Sequence, residues 1–218
     1  MRQSAKLVSC TKEPEKLIMY CARVSNPQNQ DSGNTKLISY CIRHGHWSPF
    51  EMAHAVIEIK TTRAISPQIL RHRSFSFQEF SQRYAKVEDL DNPVDFDMRL
   101  AGATNRQSSR PVEWDKMDMD QVEALKAAQN AVRDSRMAYG KLVDSGFAPE
   151  TARNILPLCT PTTLYMAGNI RSWIHYVQLR TKPDTQLEHR EIALKIRCIL
   201  NEIVPVTMEA VDRLQDKG

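Results

Sequence analysis

The chain has 218 residues, with 30 Lys and Arg against 26 Asp and Glu and a formal net charge of +4. That length fits one compact domain spanning residues 1–218, or at a stretch two small ones, and the mildly basic balance suits an anionic small molecule while falling short of a nucleic-acid-binding surface. No apolar run of about 18 residues is present, and the N-terminal stretch MRQSAKLVSCTKEPEK has no apolar signal-peptide core. Both features predict a protein with no membrane partner, cytoplasmic or, if viral, in the host cytoplasm. The 5 cysteines are odd in number and form no C-x-x-C pair, which argues against a disulfide framework or a zinc knuckle.

In chain order, Lys6 to Ser9 reads as a first strand. Pro14 opens a helix to about Val24, with Leu17, Ile18, Cys21 and Val24 on one face. Asn26 to Asn34 is polar and carries Pro27 and Gly33, so it reads as a loop. The next helix runs from about Thr35 to His44 on the stripe Leu37, Ile38, Cys41 and Ile42, with Gly45 as its C′ residue. His54 to Lys60 alternates, Ala55, Ile57 and Ile59 facing one way, as a strand does. A helical stretch is expected from Thr62 to Ser74, kinked or truly begun at Pro67, and Phe77 to Tyr84 is expected to be extended or looped.

Residues 86–120 are irregular, and Lys86, Arg106 and Arg110 read there as solvated cations; such a segment is a lid or a variable insertion. A long helix follows from Met119 to Ser145, with Val122, Leu125, Ala128, Val132, Tyr139 and Leu142 on one side and Gly146 ending it. A short helix is expected from Pro149, a strand from Thr160 to Gly168 and a helix from Ile170 to Leu179. The last two helices are Gln186 to Val204, on the stripe Ile192, Ile196, Ile199 and Ile203, and Val206 to Leu214. Cys41 and Cys198 are assigned to apolar helix faces, and Cys159, in Leu-Pro-Leu-Cys-Thr-Pro, to a structural role.

The densest chemistry lies in Arg71 to Tyr84, RHRSFSFQEFSQRY. Arg71, His72, Arg73 and Arg83 crowd together with only Glu79 as a counter-charge, and arginine forks meet phosphate or carboxylate oxygens with paired N–H donors. A solvated basic patch with aromatic anchors would have the same composition. A second cluster, His44-Gly45-His46, has the look of a metal pair, but no carboxylate or Cys stands in register with it, so no metal is assigned.

The string R-H-R, seven residues, then S-Q-R-Y resembles the signature of the flavin-dependent thymidylate synthases. So do H-G-H-W-S-P-F-E at 44–51, A-R-N-I-L-P at 152–157, N-I-R at 169–171 and Arg180 with Gln186 and Glu188 spaced as R-x5-Q-x-E. The resemblance implies an α+β fold, a mixed or antiparallel sheet flanked by helices. It implies reductive methylation of dUMP to dTMP, with FAD as hydride carrier and with NADPH and 5,10-methylenetetrahydrofolate as co-substrates. It also implies a homotetramer with active sites shared between subunits.

By the same resemblance His46, Ser48, Arg71, His72, Arg73, Glu79, Asn169, Ile170, Arg171 and His175 meet the flavin. Gln68, Ile69, Leu70 and Arg71 border the nucleotide, as does Arg153, while Glu79, Phe80, Ser81, Gln82 and Arg83 from a neighbouring subunit cradle its phosphate. Arg180 is the catalytic group at the uracil ring, where a permanently charged fork stabilises developing negative charge. Met52 and His175 stand where that family commonly has His and Asn. Ser81 has no base adjacent in the sequence, so no enzyme nucleophile is assigned. Two other readings share some of these features: a phosphate- or nucleic-acid-binding module using residues 71–84, and a different flavoenzyme acting on a nucleotide.

Overall fold

The computed structural model of the chain describes residues 3–84, 98–102 and 109–215. The fold is α+β, with helices set about a four-stranded sheet. The described residues of Lys60–Pro67 and Glu79–Thr163 form one compact unit, and those of Gln3–Ile59, Gln68–Gln78 and Leu164–Gly218 form a second. Strands β1 (Ser4–Cys10), β2 (His54–Thr62), β3 (Ser76–Glu79) and β6 (Pro161–Asn169) make the sheet in the order β1-β2-β6-β3. A separate antiparallel pair, β4 (Leu100–Ala101) and β5 (Ser109–Arg110), sets Leu100 against Arg110 and Ala101 against Ser109.

The second unit holds the larger core. Ala55, Ile57 and Ile59 of β2 are buried at alternate positions as the sequence predicts, and Leu164 and Met166 do the same on β6. Onto this layer packs α6 (Ile170–Arg180), whose Trp173, Ile174, Tyr176 and Val177 are buried. Trp173 anchors it by donating Nε1–H to the Ala55 carbonyl at 3.2 Å. Helix α7 (Leu187–Ile203) packs on α6 and on β1, and α8 (Pro205–Gln215) packs on α2 (Lys36–Arg43). Glu15 of α1 (Pro14–Ala22) joins the first turn of α8, accepting from the Thr207 N–H at 2.7 Å and from its hydroxyl at 2.9 Å.

The first unit contains α4 (Met119–Asp144), the short α5 (Pro149–Ala152) and a 3-10 turn at Arg153–Ile155. Asp118 and Gln121 close α4 with a reciprocal capping box. Gly146, at φ 88°, ends it: Phe147 N–H reaches the Leu142 carbonyl and Gly146 N–H the Val143 carbonyl, both at 3.0 Å. Tyr139 and Ala152 form a small buried cluster, with Leu142, Val143 and Leu156 against it.

Several sequence expectations change. The stretch after Thr62 is not a helix. β2 continues to Thr62, and Arg63 and Ala64 then donate backbone N–H groups to the carbonyls of Thr160 and Leu158, both at 2.9 Å. Only α3 (Ser66–Ile69) is helical there, with Pro67 inside its first turn. The buried face of α7 is His189, Ile192, Ala193, Ile196 and Leu200, so Ile199 and Ile203 are only half-covered. Cys198, two residues or about 200° around the helix from Ile196, is exposed rather than core. Val24 lies past the end of α1 and is exposed. Lys86 and Arg106 fall outside the described residues, while Arg110 is exposed in β5.

Candidate active site

In the second unit, the chain from Gln68 to Phe75 is folded over α6. Phe75 is buried edge-to-face on Trp173, ring centroids 4.6 Å apart, and its N–H bonds the His72 carbonyl at 3.2 Å. Gly168 permits this close approach: a Cβ there would stand 2.4 Å from Phe75 Cδ1. The turn leaves Arg71 and Arg73 exposed and brings the His72 ring inward against Tyr176, centroids 4.9 Å apart.

His72 Nε2 accepts a hydrogen bond from Arg180 Nε at 2.9 Å. That contact needs a neutral imidazole. Burial, then the Arg180 guanidinium and His175, lower the His72 pKa from 6.5 to about 4. Arg180, last residue of α6, is therefore steered by its Nε while its two Nη groups have no described protein partner. Gln68 is half-buried and donates Nε2–H to Gln186 Oε1 at 2.7 Å; Ile69 is buried, so only its backbone can border a ligand, and Leu70 is exposed.

Also in the second unit, α2 ends at a glycine that turns the chain toward two cavities. Gly45 has φ 69°, a left-handed conformation that side chains disfavour. His46 N–H then bonds the Cys41 carbonyl at 2.8 Å and Gly45 N–H the Ile42 carbonyl at 3.2 Å, the Schellman pattern. His46 and Ser48 emerge beside a cavity of about 480 Å³, with Trp47 and Arg171 also in its wall. A neighbouring cavity of about 640 Å³ shares Trp47 and Arg171 and is further lined by Glu51, Ser74, Asn169, His175 and Gln178.

Asn169 is the N-cap of α6, its Oδ1 accepting from Ser172 N–H at 2.8 Å, which leaves the amide NH2 as a donor. Ile170 is buried, its N–H on the Ala53 carbonyl at 2.9 Å. Arg171 is paired with Glu51 and half-exposed. Thus Asn169, Arg171 and His175 come together in one cavity and His46 and Ser48 in the other, while Arg71 and Arg73 line neither.

In the first unit Glu79 does not project freely. Its Oε1 receives Ser66 Oγ–H at 2.6 Å, Thr162 Oγ1–H at 2.9 Å and the Arg63 guanidinium at 2.8 Å. Phe80 is tied through its N–H to the Thr163 carbonyl at 2.8 Å. Ser81 Oγ accepts from the Arg83 backbone N–H at 3.4 Å, a turn contact rather than a pairing with a base. Arg83 meets Glu150 at 3.4 Å, both about half-exposed.

Gln82 is buried, and its Nε2 has no hydrogen-bond partner among the described residues. An unmet buried donor costs on the order of 1–3 kcal/mol until something accepts from it. Gln82 lines a cavity of about 260 Å³ with Arg63, Arg153, Asn154 and Thr160. Two guanidinium groups beside an orphaned amide donor suit an anion rich in oxygen acceptors.

The sequence reading overlooked Arg63, Trp47, Glu51, Ser74, Gln178, Tyr176 and His189. For Gln178 a signal existed: Arg171, His175 and Gln178 follow helical spacing and share a face of α6. Arg63 carried none, because it is the break of the expected helix that places it. Burial raises the thiol pKa of Cys159 and of Cys41, so neither is an activated thiolate. Among the described residues no three His, Cys, Asp or Glu side chains are grouped to hold a metal, and no helix is long and apolar enough to cross a membrane.

The family model described as thymidylate synthase complementing protein, Thy1, matches residues 6–206. The probable flavin-dependent thymidylate synthase of Paramecium bursaria Chlorella virus 1 is 45% identical over 218 residues, covering 96% of this chain and 99% of that one. The flavin-dependent thymidylate synthase of Synechocystis sp. is 48% identical over 200 residues, covering 91% and 90%. Among solved structures, the UMP/dUMP methylase PolB of Streptomyces cacaoi bound with 5-Br dUMP superposes with a TM-score of 0.79 at 26% identity, covering 97% of this chain and 95% of that one. The match along nearly the whole length, with the site motifs inside it, places this chain in the Thy1 family, the flavin-dependent thymidylate synthases.

Proposed function

We propose that this chain methylates dUMP to dTMP with a bound flavin, FAD, and without an enzyme nucleophile. The observation that carries the reading is the pairing of Arg180 with a neutral His72 in a chain whose relatives are named thymidylate synthases. The residues present fit a flavin: two neighbouring cavities of about 640 and 480 Å³ share Arg171 and Trp47 in their walls, and Asn169 offers its amide NH2 at the start of α6. His46, Ser48 and His175 would hold it with them, and Arg71, His72, Arg73 and Ile170 would add contacts, Ile170 through its backbone. When bound, the flavin supplies hydride transfer.

The protein's own part is binding and electrostatics. Arg180 is held at one edge by His72, so its remaining fork faces the pyrimidine and favours negative charge on the ring. Near neutral pH the lowered pKa of His72 keeps it an acceptor and Arg180 its donor. Gln68, Ile69, Leu70 and Arg71 border the nucleotide. The first unit offers Gln82, Arg83 and Arg153 to a phosphate, with Ser81 and Phe80 beside them, and its Glu79 is fixed by Arg63, Ser66 and Thr162. No activated thiolate stands ready, since burial holds Cys159 as a thiol.

The reading includes 5,10-methylenetetrahydrofolate as carbon donor, NADPH as reductant, a homotetramer that shares its sites between copies, and a cytoplasmic location. The test is the visible spectrum of the purified protein, with NADPH added anaerobically in the presence and absence of dUMP, and with UMP as control. A flavin spectrum that NADPH bleaches and dUMP alters supports the proposal. A colourless protein that takes up no added FAD overturns it.

A further inference from the structure

We infer that His189 is a positioning residue, which sets the orientation of the Gln68 side-chain amide from a buried seat between Gln68 and Tyr176. The argument starts at the far end of a chain of five side chains in the second unit. Glu188 ends it with a carboxylate oxygen, an acceptor only. Gln186 must therefore turn its NH2 to Glu188 Oε2, at 3.0 Å, and its carbonyl to Gln68. Gln68 must then give its own NH2 to Gln186 Oε1, at 2.7 Å, and turn Oε1 toward His189.

His189 Nδ1, 3.4 Å from that oxygen, must carry the proton. In a neutral ring Nε2 is then an acceptor, and the Tyr176 hydroxyl, 3.0 Å away, donates to it. Every link has one direction: Tyr176 to His189 to Gln68 to Gln186 to Glu188.

The surroundings hold the ring neutral. His189 is 0% exposed, and burial first, then Arg180 and His72, lower its pKa from 6.5 to about 3. Burial keeps the Tyr176 hydroxyl protonated, raising its pKa against the opposing pull of Arg180. The consequence is chemical. With its carbonyl and one N–H engaged, Gln68 presents its second N–H, a donor suited to a carbonyl, hydroxyl or phosphate oxygen of the nucleotide. A reversed relay would put a carbonyl in that place, which repels a carbonyl or phosphate oxygen. This inference rests on the proposed function for the identity of the ligand, but the direction of the relay does not.

Two substitutions separate positioning from packing. The amide of Asn occupies the place of His Nδ1, and the amide of Gln the place of Nε2. His189→Asn therefore keeps a donor for Gln68, while His189→Gln keeps only the partner of Tyr176. His189→Gln is expected to raise the KM for dUMP about tenfold more than His189→Asn does, the size of one misdirected buried hydrogen bond. The FAD spectrum should be the same in both variants. Equal effects of the two substitutions on KM overturn the inference.

Should either variant fail to fold, the wild-type holoenzyme decides by its imidazole 15N shifts without nucleotide. A His189 ring protonated at Nδ1 and bare at Nε2 from pH 8 to pH 5 supports the relay. The opposite tautomer, or an imidazolium in that range, overturns it. Absence of flavin or of dUMP binding would defeat the proposed function and leave this tautomer result standing.

Discussion

Gly168→Ala tests whether the turn carrying Arg71, His72 and Arg73 is pinned by one close contact. The new Cβ would lie 2.4 Å from Phe75 Cδ1 and 2.6 Å from Cε1, where ordinary contact begins near 3.4 Å. The ring must therefore retreat by about 1 Å, a shift that core packing resists. It has little room, with Trp173 at 4.6 Å, Tyr176 at 6.1 Å and Phe77 at 6.3 Å between centroids. Overpacking of this kind costs about 1–3 kcal/mol. Replacing a strand glycine without a positive φ returns roughly 0.5–1 kcal/mol from the unfolded chain. At the middle of both ranges a net loss of about 1 kcal/mol remains, or about 2–4 °C in Tm for a chain of this size.

The assay is thermal melting of the FAD-loaded protein, paired with FAD titration, since displacing Phe75 also shifts the His72 carbonyl that its N–H meets. Phe75→Leu in the Gly168→Ala background should recover part of the loss. The two substitutions should couple by about 1 kcal/mol in a double-mutant cycle. A Gly168→Ala protein as stable as the wild type, or strictly additive substitutions, would refute the reasoning.

Arg180→Lys keeps the charge but cannot both meet His72 and present a fork. A fall in kcat/KM of about 10²–10³-fold is expected with an unchanged flavin spectrum, and a loss under threefold would remove Arg180 from the catalytic role. Stability should fall with acid before the carboxylates titrate. The unfolded chain takes a proton on His189 near pH 6.5 while the folded ring resists to about pH 3, so this contribution is flat above pH 6.5 and decays below it. Its slope is about 1.4 kcal/mol per pH unit from His189 alone, with His72 adding in the same direction down to about pH 4. Urea midpoints from pH 7 to pH 5 read the slope, and His189→Asn should flatten it. Cys159→Ser should retain activity within about threefold, because the thiol is kept protonated by burial; an inactive, folded variant would restore a nucleophile to the mechanism.

Much of this protein was legible before any fold was known. Periodicity found β2, α1, α2, α4 and α7, because the 2.0 and 3.6 residue repeats reflect which face is buried. The glycines after α2 and α4 were legible as caps, since only their left-handed φ closes the Schellman bonds. The family resemblance supplied expected roles for residues, which local pattern alone could not.

Long-range partners were a different matter. Nothing near Glu79 in sequence announces that Arg63, Ser66 and Thr162 converge on one of its oxygens. The expected helix after Thr62 shrank to Ser66–Ile69 because the turn before it, Arg63 and Ala64, gives its backbone N–H groups to the carbonyls of Thr160 and Leu158. His189 drew no reading from the sequence, and it is burial that joins it to Tyr176 and Gln68. Local propensity and spacing act over a few residues and therefore determine elements, caps and motif order. Hydrogen-bond direction, burial and shifted protonation equilibria depend on residues more than 100 positions apart, as with Arg180 on His72 and Gln186 on Gln68, and only the tertiary structure decides them.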